Sequence, residues 1–130
     1  MWEIEFYETE SGKKVILDFL ESLPVKHKAR AIREIELLEE FGTDLTMPHV
    51  KQIDGKLWEL RIKASSNISR IFYFVSINNK IVLLHGFIKK TNKTPEREKE
   101  TAKKRMAEYK RRFERWILKS IKKKHLKKIP

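Results

Sequence analysis

Residues 56–95 read KLWELRIKASSNISRIFYFVSINNKIVLLHGFIKKTNKTP, and this stretch decides the fold. From Leu57 to Ala64 the residues alternate: Trp58, Leu60, Ile62 and Ala64 lie on one side, Glu59, Arg61 and Lys63 on the other. That is the period of a half-buried strand, with one face to pack and one to present cations. Ser65-Ser66-Asn67 is a turn signal, after which Arg70 leads into Ile71-Phe72-Tyr73-Phe74-Val75. Asn78-Asn79 turns the chain again, into Ile81-Val82-Leu83-Leu84, and the last strand runs through Phe87-Ile88 into Lys89 and Lys90. The expected result is a three-strand antiparallel meander. Arg61, Lys63, Arg70, Lys89 and Lys90 then converge on one edge or face of a small sheet, an arrangement suited to a phosphodiester.

Working outward, Trp2 to Tyr7 alternates apolar and acidic residues and predicts a first strand. Val15, Ile16, Phe19, Leu20 and Leu23 recur at helical spacing up to Pro24. A second helix follows, with Val25, Ala29, Ile32, Ile35 and Leu38 as its apolar face and Gly42 at its C-terminal end. Val50 to Ile53 reads as a short strand, and Asp54-Gly55 as a two-residue hairpin into the meander. Thr94-Pro95-Glu96 starts a last helix, with Thr94 as cap and Pro95 in the first position. Its stripe Ala102, Met106, Tyr109, Phe113, Trp116, Ser120 steps by four and three, so the helix is expected to continue through residues 111–121, with fraying beyond Lys122. The fold class is α+β: an N-terminal strand and helical hairpin on a mainly antiparallel sheet, with a long C-terminal helix. One domain is expected over residues 1–109, with a basic extension over 110–130.

The chain has 130 residues and a net charge of +12. Residues 1–49 hold 6 Lys/Arg against 11 Asp/Glu, residues 50–109 hold 14 against 6, and residues 110–130 hold 10 against 1. The positive field therefore belongs to the meander and the C-terminal region, and it favours an anionic partner, with nucleic acid first, then an acidic protein or membrane surface. There is no cysteine, which excludes a disulfide framework and a cysteine-based zinc site. His27, His49, His85 and His125 lie far apart without metal-ligand spacing. No apolar run approaches the roughly 20 residues of a membrane span, and no leader pattern opens the chain, so a cytoplasmic, metal-free protein without a cofactor is expected.

RNA can be cut without a metal when a base removes the 2′-hydroxyl proton, cations neutralise the phosphorane, and the departing 5′-oxygen gains a proton. Arginine suits the second task because its planar fork grips two phosphate oxygens and stays charged; lysine can grip, or transfer a proton when neighbouring cations lower its pKa. Arg61 and Arg70 are the candidate charge stabilisers; Lys63, Lys89 and Lys90 are candidates for proton transfer or grip. Lys51, Lys56, Lys93 and Arg97 are further candidates for RNA binding. The competing reading is that strand-end cations only keep sheet edges from pairing. His85, in an apolar strand beside Gly86, reads as a hydrogen-bonded structural residue, Tyr73 and Trp58 as core, and His49 as a loop residue able to approach a substrate.

From Leu57 onward, LWELRI, RIFYF, LLHGF and KKTNKTP, in this order, resemble the phage-derived HigB-like branch of the RelE/ParE toxin superfamily. The resemblance spans roughly residues 2–109 and includes the order of elements. It implies a type II toxin, an mRNA endoribonuclease that usually acts on the ribosome and is silenced by a cognate antitoxin, expected here to be a helix-turn-helix protein. In RelE-type members a Lys-x-Lys pair, an Arg opening the next strand and a Lys/Arg pair after the last strand serve catalysis. These map onto Arg61 and Lys63, Arg70, and Lys89 and Lys90. Arg61 stands where the first Lys would be, and the Tyr that some members carry beyond the last pair has no counterpart within Thr91–Glu96. The alternatives are a ParE-like gyrase inhibitor, against which the full cation set argues, and a non-catalytic nucleic-acid-binding module.

Overall fold

The structure is a computed structural model that describes residues 1–77 and 79–127. Among the described residues nine elements follow one another: β1 (Glu3–Phe6), α1 (Val15–Glu21), α2 (Val25–Phe41), a 3-10 turn (Gly42–Asp44), β2 (Val50–Asp54), β3 (Leu57–Ala64), β4 (Asn67–Val75), β5 (Lys80–Ile88) and α3 (Glu96–Lys127). The five strands form one sheet in the order β1-β5-β4-β3-β2, antiparallel except where β1 runs parallel to β5. This is the expected α+β architecture, compatible with a RelE-like single domain.

Period-two alternation assigns each strand residue to one of two layers. Leu60, Ile62, Ile71, Tyr73, Ile81 and Leu83 pack under α1 and α2 through Ile16, Leu20, Ala31 and Leu38. Leu57, Phe72, Phe74, Val82, Leu84 and Phe87 face the other way and take Ala102, Met106 and Tyr109 of α3. A bulge in β5 shifts the register between the pairs Phe72–His85 and Tyr73–Leu83, and Leu84, Phe87 and His85 all reach the α3 layer. Gly86 lies where an added Cβ would enter the ring of Phe19, so the close approach of β5 and α1 requires glycine there.

Three details differ from the expectation. In α2 the inward stripe is His27, Ala31, Glu34 and Leu38, spaced by four, three and four, with Ile35 beside it. Val25 is 85% exposed and Ala29 and Ile32 also face outward. The helix is rotated because two polar residues of the buried stripe find partners: His27 Nε2 and Ser69 Oγ are 2.8 Å apart, and Glu34 pairs with Arg30 and His49. The hairpin between β2 and β3 turns on Gly55 and Lys56, with Gly55 at φ 56° and Asp54 still in the strand. Finally, α3 does not fray at Lys122 but runs to Lys127, as the good helix formers Lys, Leu and Arg allow. Half of the expected Asn78-Asn79 turn and the final Lys128 fall outside the described residues; Asn79 itself has φ 60°.

Candidate active site

β3 and β4 pair so that Arg61 lies opposite Arg70, and β5 places Phe87 opposite Arg70 on its other side. Like charges directly across a strand pair repel, and the sequence relieves this with Glu59, two residues along β3 on the same face. Glu59 Oε1 stands 3.6 Å from Arg70 Nε and 3.9 Å from Arg61 Nε. Glu59 is 2% exposed and Arg70 5%, so a carboxylate and a guanidinium are both buried, on the sheet face that carries Phe72. Burying such a pair is costly unless every polar atom is satisfied. Here Glu59 Oε2 and Arg70 Nε have no hydrogen-bond partner among the described residues, although Arg70 Nη1 donates to the Ser69 carbonyl at 3.0 Å.

Lys89 completes this cluster. Its backbone N–H donates to the Ile68 carbonyl at 2.8 Å, which fixes the chain just past β5. Burial, then the nearby Arg70, hold its ammonium below the usual lysine range; Glu59 opposes the shift, while Arg61 and Lys51 add to it. Arg70 is likewise lowered, by burial first, but an arginine stays charged throughout. Lys51, opposite Glu59 in β2, thus belongs to the same electrostatic neighbourhood.

A cavity of about 390 Å³ opens beside these residues, lined by Arg30, Glu34, Pro48, His49, Arg61, Ile62, Lys63, Ile68 and Arg70. Its edge is formed where β3 outruns β2: the Arg61 N–H donates to the His49 carbonyl at 2.8 Å, drawing the loop onto the strand. The structure therefore brings Arg61, Arg70, Lys89 and Lys51 together and puts Lys63 on the cavity wall. Lys90 is exposed past the end of β5, and Lys93 and Arg97 are exposed at the loop and the first turn of α3. Lys56 is set apart: it sits at the β2–β3 turn and lines a different cavity with Phe74, Tyr109 and Phe113. Among the described residues no group of three or more His, Cys, Asp or Glu is placed to hold a metal ion.

The histidines divide by what their nitrogens touch. Arg105 Nη1 donates to His85 Nδ1 at 3.0 Å, which makes Nδ1 an acceptor and leaves Nε2 to donate to Glu98 Oε2 at 2.8 Å. Both nitrogens are taken, burial holds the ring below the usual histidine range, and its role is structural. His49 instead bonds Glu34 Oε2 through Nδ1 at 2.9 Å, and its Nε2 has no hydrogen-bond partner among the described residues. Glu59, Glu34 and the anchored His49 were not legible as a unit from strand alternation alone.

The family model described as phage derived protein Gp49-like (DUF891) matches residues 18–107, more than half of the chain. The chain belongs to the Gp49-like family. This Gp49-like family is toxin-like and of the RelE/ParE type, which fits a toxin–antitoxin module with an antitoxin as partner. The match covers β2 to β5 and every cation of the cluster, and stops before Phe113. No curated protein matches the chain. None of its described helices is long and apolar enough to cross a membrane.

Proposed function

We propose that this Gp49-like chain is a HigB-like toxin: a metal-independent endoribonuclease that cuts ribosome-bound mRNA in the cytoplasm and is neutralised by a helix-turn-helix antitoxin. The observation that carries the reading is the cross-strand pair Arg61–Arg70, held over one buried carboxylate with Lys89 alongside. Two forks on neighbouring strands can take the two non-bridging oxygens of a phosphate and neutralise the charge that grows on the phosphorane. A lysine with a depressed pKa is a better acid than a solvated one, so Lys89 is the donor to the departing 5′-oxygen. Lys63, Lys90, Lys51, Lys93 and Arg97 grip flanking phosphates, and Lys56, on the other cavity, is at most a distant contact.

Cleavage of mRNA in programmed ribosomes should proceed in excess EDTA and leave 2′,3′-cyclic phosphate or 3′-phosphate ends. A strict need for added Mg²⁺ or Mn²⁺ would rule the mechanism out. Loss of DNA supercoiling by gyrase without RNA cutting would favour a ParE-like inhibitor instead, and RNA binding without cutting a non-catalytic module.

The extension beyond the family match has its own expected behaviour. Phe113 borders the cavity shared with Phe74 and Tyr109 and stacks on Trp116 at 6.1 Å, but Trp116, Leu118 and Ile121 are exposed on a helix rich in lysine and arginine. Residues 111–121 are assigned to packing on the core or the antitoxin, and Lys122 to Lys128 to RNA attraction. Deleting residues 122–130 removes five lysines. If all five meet phosphates, the salt slope of RNA affinity falls by up to about 3.5, with antitoxin affinity unchanged. Deleting from Phe113 onward should lower the melting temperature or antitoxin affinity as well. Equal effects of both truncations on those two quantities would leave the extension as a basic tail only.

A further inference from the structure

We infer that His49, oriented by the buried carboxylate of Glu34, is the base that takes the 2′-hydroxyl proton; the inference rests on the ribonuclease reading above and deepens it. Glu34 is 2% exposed in the middle of α2, where an apolar residue would pack more cheaply. It is kept there by two partners: Arg30 Nη2 at 2.9 Å from Oε1, one turn before it, and His49 Nδ1 at 2.9 Å from Oε2. A carboxylate paired with an arginine only accepts, so His49 donates its Nδ1 proton to Glu34. That fixes the tautomer whose Nε2 carries a lone pair, and the ring stands on the wall of the cavity that Arg61, Lys63 and Arg70 also line.

The parts form a proton-transfer line of the kind that activates a hydroxyl. His49 supplies the acceptor, Glu34 orients it and stabilises the imidazolium once formed, and the arginines face the phosphate. Of the other histidines whose side chains are described, His85 is bonded at both nitrogens on the α3 side, and His27 is buried against Ser69. In the step itself, His49 Nε2 removes the 2′-hydroxyl proton and the 2′-oxygen attacks phosphorus. The bond from phosphorus to the 2′-oxygen forms as the bond to the 5′-oxygen breaks, and the leaving oxygen takes a proton from the Lys89 ammonium. The products are a 2′,3′-cyclic phosphate and a 5′-hydroxyl; the imidazolium and the neutral amine then exchange one proton with water. The charged groups that line the cavity with the ring are Glu34 and Arg30 from α2, Arg61 and Lys63 from β3 and Arg70 from β4. Glu34 is a positioning residue; it does not touch the substrate.

The test is single-turnover cutting of mRNA in programmed ribosomes by the full chain and by His49→Gln, His49→Ala and Glu34→Gln. Losing a general base costs about 10²- to 10⁴-fold in rate. His49→Gln should lose rate in that range with toxin binding to the ribosome unchanged, and added imidazole should partly restore His49→Ala. Glu34→Gln should lower the rate constant more than the binding, and the imidazole ¹⁵N resonances of His49 should show the loss of the single tautomer, a readout that packing alone would leave in place. If the parent cuts and Arg70→Ala does not, yet His49→Gln and Glu34→Gln cut at the parent rate, the dyad assignment is overturned while the ribonuclease reading stands. If the parent cuts nothing, both fall together. Where His49→Gln melts far below the parent, imidazole rescue of folded His49→Ala is the deciding measurement: no rescue would overturn the assignment.

Discussion

Arg70→Ala is expected to abolish growth arrest on expression and to lower the rate of mRNA cleavage by about 10²- to 10³-fold, the usual loss when one preorganised charge stabiliser is removed. The structure adds a complication that the strand pattern does not show. Arg70 is the nearer ion-pair partner of a carboxylate that is almost wholly buried, at 3.6 Å, and its removal leaves Glu59 with the longer pair to Arg61 at 3.9 Å. Breaking one side of a buried pair destabilises by ~3 kcal/mol or more, because the remaining charge keeps its desolvation cost. The single variant therefore loses both stability and chemistry, and growth assays alone would confuse them. The double variant Glu59→Gln/Arg70→Ala separates the two: it removes the stranded charge and should melt closer to the parent, yet remain inactive. Glu59→Gln alone keeps both guanidiniums and should retain cleavage. An active double variant with a parent-like melting temperature would show that Arg70 does not act on the phosphate.

How far the sequence reached depends on what the period measures. In the meander, alternation of large apolar residues with Glu59, Arg61 and Lys63 fixed the two faces of β3, and the observed boundaries, Leu57–Ala64, coincide with that pattern. β4 and β5 are longer than their apolar runs, because Asn67, Ser69 and Arg70 keep the ladder going where hydrophobicity stops, and His85 and Gly86 do the same. In α2 the same logic placed Ile35 and Leu38 correctly and the rest of the stripe wrongly. It counted Val25 and Ile32 as inward and could not count His27 and Glu34, since their burial is justified only by Ser69 and His49, distant in sequence. The candidate site shows the same split. That Arg61 and Arg70 face one another follows from strand register, which turn residues predict; that a lone carboxylate on the cationic face is drawn inward between them does not. The signal available was Glu59 itself, the single acid between Lys56 and Glu96. His49 was visible as a loop residue near the cations, but its orienting carboxylate lies 15 residues earlier on a helix read as having its acids outside.

A substrate carrying 2′-deoxyribose at the scissile nucleotide should not be cut at all, whatever its affinity. In the proposed chemistry the nucleophile is part of the substrate, so no residue of the protein can replace the missing oxygen, and water would have to be positioned instead. In that chemistry the cation cluster serves the phosphate: Arg61, Arg70 and Lys89 would meet non-bridging and leaving oxygens that deoxyribose keeps. Binding should therefore survive. Losing one hydroxyl removes at most one hydrogen bond, so affinity should change by less than about tenfold, and the salt dependence, set by the number of phosphates neutralised, should not change. The contrast between a total loss of cutting and a small loss of binding is what distinguishes intramolecular attack from both rivals. A module that only binds would cut neither substrate, while an enzyme that activates water would cut both and would leave 5′-phosphate or 3′-phosphate ends with no cyclic intermediate. Cutting of the deoxy substrate at a rate near that of the all-ribose one would remove His49 and Lys89 from the roles given to them here, since neither would have a 2′-oxygen to deprotonate or a cyclisation to complete.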